Sequence, residues 1–171
     1  MEISLSTSIL RPWQIEDAPS LARYANNPRI AENLRDGFPY PYKLSDAEFW
    51  ISKMANASNA LILAIVIKKE AVGTIGVHLQ NDVYRKNGEL GYWLAEPFWN
   101  QGIMTEVVGY VTKFAFENFD IHRLYSGVFE FNVGSMRVLE KNGFVREAIH
   151  RKSVIKNNRI MDEYLYSRCL I

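Results

Sequence analysis

Gly91-Tyr92-Trp93-Leu94-Ala95-Glu96-Pro97-Phe98-Trp99-Asn100-Gln101-Gly102-Ile103-Met104-Thr105-Glu106 is the stretch on which the fold turns. Its beginning continues a strand, Glu89 to Leu94, that puts Glu89, Gly91 and Trp93 on one face and Leu90, Tyr92 and Leu94 on the other. From Thr105 to Asn118 the apolar residues Val107, Val108, Val111, Phe114 and Ala115 recur at helical spacing. A strand that passes through a glycine turn into a helix N-terminus gathers unpaired backbone N–H groups, and the helix dipole adds positive potential there. Phosphate or pyrophosphate binds such a place. Gly102 is the only glycine of the turn, so neither G-x-G-x-x-G nor the P-loop pattern is met, and no lysine follows. On these residues alone the turn is either an anion site or an ordinary tight turn with Gly102 at positive φ.

Upstream, Leu61 to Ile67 reads as a buried strand, Lys68-Lys69-Glu70 as a turn and Val72 to Leu79 as the returning strand, with a polar connection from Gln80 to Gly88. Downstream, His122 to Phe129 is another strand. Asn132 caps a short helix bearing Val133, Met136 and Leu139, which ends at Asn142-Gly143 with Gly143 as a left-handed stop. Phe144 to Ile149 and Met161 to Cys169 flank the polar turn Lys156 to Arg159 as a hairpin.

The first half is more helical. Ile3 to Leu10 reads as one strand, and Asp17 caps a helix through Leu21, Tyr24 and Ala25. A second helical stretch runs from Arg29 to Leu34. Ser45-Asp46-Ala47-Glu48 is a capping box that opens a helix through Phe49, Trp50, Ile51 and Met54. Between these helices, Phe38 to Tyr42 carries two prolines and three aromatics, either a packed loop or a substrate-binding wall. No repeat, low-complexity tract or linker is present. The chain, 1–171, reads as one α/β domain with a largely antiparallel sheet.

Composition narrows the function. The chain has 171 residues, with 20 Lys and Arg against 19 Asp and Glu, for a net charge of +1. That balance argues against nucleic acid or an anionic membrane as main partner. Cys169 is the single cysteine, which excludes a disulfide framework and a multi-thiolate metal site; it reads as a strand residue near the core edge. No metal is expected. The start lacks a signal-peptide pattern, and the longest apolar run, Ala60 to Ile67, is too short to span a bilayer, so a cytoplasmic protein is expected.

The strand–loop–helix stretch, followed by Asn132 through Phe144 and preceded by Leu10-Arg11-Pro12-Trp13 with Glu16-Asp17, resembles the GNAT superfamily of N-acetyltransferases. Its nearest likeness is the branch that acetylates N-termini of ribosomal proteins, the RimJ/RimL type. The resemblance implies a mixed, mostly antiparallel sheet with helices on both faces, and a splayed strand pair, Glu89–Leu94 and His122–Phe129, that holds acetyl-CoA. Pantetheine would pair with backbone groups near Tyr92, Trp93 and Leu94. The pyrophosphate would rest in the loop Trp99-Asn100, on N–H groups from Gln101, Gly102, Ile103, Met104 and Thr105, and Asn132 would bond the pantetheine arm.

Two residues depart from the family pattern. Met104 stands where Gly or Ala is usual and must turn its side chain away from the phosphates. Leu139 stands where many members carry a tyrosine that protonates the leaving thiolate. In the RimL-like branch a serine one helical turn earlier takes that role, and Ser135 holds the matching position.

An amine is protonated at pH 7 and must lose a proton before it attacks a thioester. The family often places a carboxylate base at the start of the cofactor strand, which makes Glu89 the first candidate. His78, at the end of the preceding strand, is the second. Glu106 complements the helix N-terminus instead. The acceptor implied is a protein or peptide N-terminal amine. The alternatives are a small-molecule amine (polyamine, amino sugar or antibiotic) and a non-catalytic acyl-CoA-binding sensor; the reading leaves room for a homodimer.

Overall fold

The computed structural model describes residues 1–170. The N-terminal apolar stretch is two strands, not the one expected over Ile3–Leu10. β1 (Ile3–Ser4) and β2 (Ile9–Arg11) pair antiparallel, Ile3 opposite Leu10 and Ser4 opposite Ile9. The hydroxyl-rich segment between them makes the turn, with the Leu5 N–H donating to the Ser8 carbonyl at 2.8 Å.

Asp17 heads the helix α1 (Ala18–Ala25), but its carboxylate does not cap it. It accepts two N–H groups from the Arg11 guanidinium, at 2.7 and 2.8 Å, and the Gln14 backbone N–H at 2.9 Å. A bidentate arginine outcompetes a cap for the same oxygens. The expected helix at Arg29–Leu34 is shorter and earlier, α2 (Pro28–Ala31), because Asn27 caps it by accepting the Arg29 N–H at 2.9 Å. The helix α3 (Leu44–Ala55) likewise starts before the expected box at Ser45, since Asp46 takes the Lys43 N–H at 2.8 Å.

β3 (Ala60–Ile67) and β4 (Glu70–Leu79) follow, joined by Lys68 and Lys69 at φ 49 and 70°. Two consecutive left-handed residues are what a two-residue hairpin demands. Then come β5 (Asn87–Leu94), α4 (Ile103–Asn118), β6 (Arg123–Phe129), α5 (Val133–Lys141), β7 (Val145–Lys156) and β8 (Arg159–Cys169). The β7–β8 hairpin turns at Asn157 and Asn158, again both left-handed, as the polar tetrad implied. β7 runs well past the expected Ile149. The polar residues Arg151 to Ser153 hid that extension, and a register shift between His150 and Val154 accommodates them. Cys169 ends β8 and is exposed, not at a core edge.

The sheet order is β1-β2-β3-β4-β5-β6-β8-β7, mostly antiparallel, with β5 and β6 parallel. This is the mixed α/β architecture expected. Contacts group the chain into two units, Met1–Gly76 with Tyr92–Ile103, and Val77–Gly91 with Met104–Ile171. In the first, Ala18, Leu21, Ala25, Tyr42, Ala47 and Ile51 form a buried cluster, against which Trp13, Trp50, Phe38 and Trp93 pack. In the second, one stripe of α4 (Val107, Val108, Val111 and Ala115) is fully buried, as are Leu124 of β6 and Leu139 of α5. No helix among the described residues is long and apolar enough to cross a membrane.

Candidate active site

The end of β5, from Tyr92, and the loop beyond it belong to the first unit. Tyr92 and Trp93 are half-buried and Leu94 is buried. The Trp99 indole N–H donates to the Leu94 carbonyl at 2.6 Å, which folds the loop back on the strand end. Asn100 has φ 59° and Gly102 φ 78°, so two of three consecutive loop residues are left-handed. Asparagine tolerates that region through its own side chain and glycine through lacking one. A Cβ at Gly102 would meet nothing within 4 Å, so its backbone angle, not space, requires the glycine. Gln101 and Gly102 are exposed, and the Gln101 amide donates to the Pro97 carbonyl at 2.9 Å.

This loop is tied down by residues that the sequence did not single out. Glu96, just before it, pairs with Arg29 and accepts from the Asn27 side-chain amide at 2.7 Å. The Arg29 guanidinium lies 5.3 Å from the centroid of the Trp99 ring. The aromatic segment divides between its two readings. Phe38 meets Trp93 edge to face at 5.8 Å and Tyr42 at 5.0 Å, and Tyr42 is 6% exposed, whereas Tyr40 remains 53% exposed.

Glu89, α5 and α4 from Met104 onward belong to the second unit. Ile103 is the first residue of α4, so the N–H groups of Ile103, Met104 and Thr105 fall in the turn that lacks intrahelical acceptors. Met104 is 8% exposed. Its side chain is directed inward, which leaves the outer side of the first turn to backbone and to half-buried Thr105. Glu106 stands in the same turn, complementing the dipole.

Glu89 is half-buried on β5, opposite Tyr125 of β6. That ladder comprises Asn87–Arg123, Gly88–Leu124 and Glu89–Tyr125, whereas β6 pairs with β8 along its whole length, from Arg123 to Phe129. His78 is exposed at the end of β4. At α5, Asn132 caps the helix by accepting the Ser135 N–H at 3.2 Å, so the two residues are brought together in one turn. Ser135 is half-buried, and Leu139, one turn on, is fully buried. A leucine in the core explains the missing tyrosine: the position packs here.

One further contact orders this unit. The Asn142 amide donates to the Thr105 carbonyl at 3.0 Å and the Val138 carbonyl at 2.8 Å, joining α4 to α5. Sequence marked Asn142-Gly143 only as a helix stop.

The residues fit the cofactor expected. A left-handed loop delivers the chain into a sixteen-residue helix whose first N–H groups have no helical acceptor, and this suits a pyrophosphate.

Comparison with known proteins agrees. A family model described as an acetyltransferase (GNAT) domain matches residues 8–145. "Probable N-acetyltransferase YjcK" of Bacillus subtilis (strain 168) is 45% identical over 75 residues, 44% of this chain and 41% of that protein. "Uncharacterized N-acetyltransferase YoaA" of the same strain is 33% identical over 99 residues, 58% of this chain and 55% of its own length. The chain thus matches about half the length of these relatives. A solved structure of RimL, a ribosomal L7/L12 alpha-N-protein acetyltransferase in complex with coenzyme A, superposes with TM-score 0.88 at 22% identity, over 99% of this chain and 98% of that one. With the family model spanning most of its length, the chain belongs to the acetyltransferase (GNAT) domain family.

Proposed function

We propose that this chain transfers the acetyl group of acetyl-CoA to the α-amine of a protein or peptide N-terminus, of the ribosomal-protein type. The observation that carries the proposal is the Asn100–Gly102 turn leading into α4, within a chain that the GNAT model covers from residue 8 to 145. The RimL likeness in fold supports the choice of acceptor.

Acetyl-CoA supplies an activated acyl group and a thiolate leaving group. The backbone N–H groups of Gln101 to Thr105 bind its pyrophosphate, and the dipole of α4 strengthens that hold. Backbone groups near Tyr92, Trp93 and Leu94 would hold the pantetheine arm, and a strand N–H near Leu94 would steady the thioester oxygen. Asn132 holds the arm from the head of α5.

Glu89 removes the proton from the acceptor amine, directly or through one water. Ser135 donates to the departing sulfur. Its place in the first turn of α5 is fixed by the Asn132 side chain, which accepts its backbone N–H.

Thiol release from acetyl-CoA, measured against peptides with free α-amines, tests the proposal. Turnover that vanishes when the α-amine is blocked supports it. Turnover with polyamines or amino sugars and none with peptides would replace the acceptor, and binding without any turnover would make the chain a sensor.

A further inference from the structure

From Asn87 to Thr112 the chain contains no lysine or arginine. The loop and helix start proposed to hold a pyrophosphate therefore carry no cation of their own, while Glu96 and Glu106 place carboxylates beside them. Anions gather where positive charge offsets them, so a bare loop with two nearby acids is an incomplete phosphate site.

The first unit completes it from far along the chain. Arg29, at the head of α2, pairs with Glu96 and stands 5.3 Å from the centroid of the Trp99 ring. The second carboxylate oxygen of Glu96 accepts from Asn27 Nδ2 at 2.7 Å, and Asn27 Oδ1 accepts the Arg29 N–H at 2.9 Å. Asn27-Pro28-Arg29 is thus fastened to the start of the loop at three points. The Arg29 side chain is nevertheless 63% exposed. A guanidinium carries five N–H donors, and one nitrogen on Glu96 leaves others directed outward. Seating on an indole ring favours a fixed plane for that fork.

We infer that Arg29 is a phosphate-recognition residue: held by Glu96 and Trp99, it presents its guanidinium to the phosphates of coenzyme A at the Asn100–Gly102 turn. The inference rests on the reading that this turn holds the pyrophosphate. It also gives Glu96 a role, since a carboxylate there would otherwise repel the ligand.

Binding of coenzyme A, dephospho-coenzyme A and pantetheine to the full chain, by calorimetry and tryptophan fluorescence, tests it with Arg29→Met and Arg29→Lys. Arg29→Met should weaken coenzyme A about tenfold and leave pantetheine within about twofold, the size of one charge-assisted hydrogen bond. Arg29→Lys should recover part of the loss, and the methionine variant should show a shallower salt dependence. A loss on dephospho-coenzyme A equal to that on coenzyme A places the contact on the pyrophosphate; a smaller one places it on the 3′-phosphate. Equal weakening of coenzyme A and pantetheine would overturn the inference, as would unchanged affinity for coenzyme A. A wild-type chain that binds pantetheine as tightly as coenzyme A would instead remove the pyrophosphate reading of the loop, and Arg29's role with it.

Discussion

The Asn142 side-chain amide donates to the Thr105 carbonyl at 3.0 Å, tying the last residue of the α5 cap to the first turn of α4. The approach is possible because Gly109 faces it: a Cβ there would stand 2.7 Å from Asn142 Oδ1. The helix start proposed to face the cofactor and the helix that carries Asn132 and Ser135 are thereby held by one side chain.

That clamp can be read from a double-mutant cycle. Asn142→Ala should cost about 1–2 kcal/mol through lost hydrogen bonds. Gly→Ala within a helix normally gains up to about 1 kcal/mol, yet Gly109→Ala should destabilise by a similar amount because the new methyl displaces Asn142. In the Asn142→Ala background, Gly109→Ala should regain its ordinary stabilising sign. Denaturant unfolding of the four chains checks this, and additive effects would mean that the two positions do not interact.

The acid–base assignments separate by pH. Glu89→Gln should lower kcat by roughly 10²–10⁴-fold and abolish the acidic limb of the kcat/KM profile. Ser135→Ala should lower kcat while leaving the KM for acetyl-CoA near wild type, since the Asn132 cap holds the Ser135 backbone N–H, which the substitution keeps. Asn132→Ala, by contrast, should lose about 1 kcal/mol of cap stability and raise that KM together. An unchanged pH profile in Glu89→Gln would move the base elsewhere, with His78 next to be tried.

Tyr42 should contribute to the alkaline limb of stability. Burial, with the Asp46 charge adding to it, pushes its phenol up to about 12. The folded value lies above the unfolded one of about 10, so the neutral form's contribution is complete below about pH 10 and is lost as pH rises through the folded value. Tyr42→Phe should therefore show a shallower fall of the melting temperature above pH 10 than wild type. Parallel curves would show that Tyr42 does not drive the loss.

Thr112 is fully buried in α4 and its hydroxyl has no hydrogen-bond partner. Thr112→Val keeps the shape and removes a desolvated polar atom, so it should stabilise by about 1 kcal/mol. Thermal unfolding should show a rise of about 2–4 °C; a fall would mean that the hydroxyl is satisfied in solution.

The second half of the chain was legible because its signals are local. Asn132 and Gly143 mark the ends of α5, the tetrad at Lys156–Arg159 marks a hairpin, and Gly102 marks the entry to α4. The first half misled where a different nearby side chain took the role that the local pattern assigned. Arg11 took the Asp17 carboxylate from its helix, and Asp46 rather than Glu48 closed the box at α3. The same limit applied to the site. Glu89, Asn132 and Ser135 stand on the elements expected of them, whereas Arg29, some seventy positions before the loop it meets, has no periodicity or spacing to announce it. Met104, expected to turn its side chain away from the phosphates, is buried.

The central claim is that the chain acetylates a terminal amine. The most direct measurement is mass spectrometry of a peptide incubated with the protein and acetyl-CoA, alongside the same peptide with its α-amine blocked. A single acetyl group on the α-nitrogen of the free peptide, with none on the blocked one and none after Glu89→Gln, is the expected result. Acetyl-CoA left intact in the presence of every amine tried, while coenzyme A still binds, would contradict it.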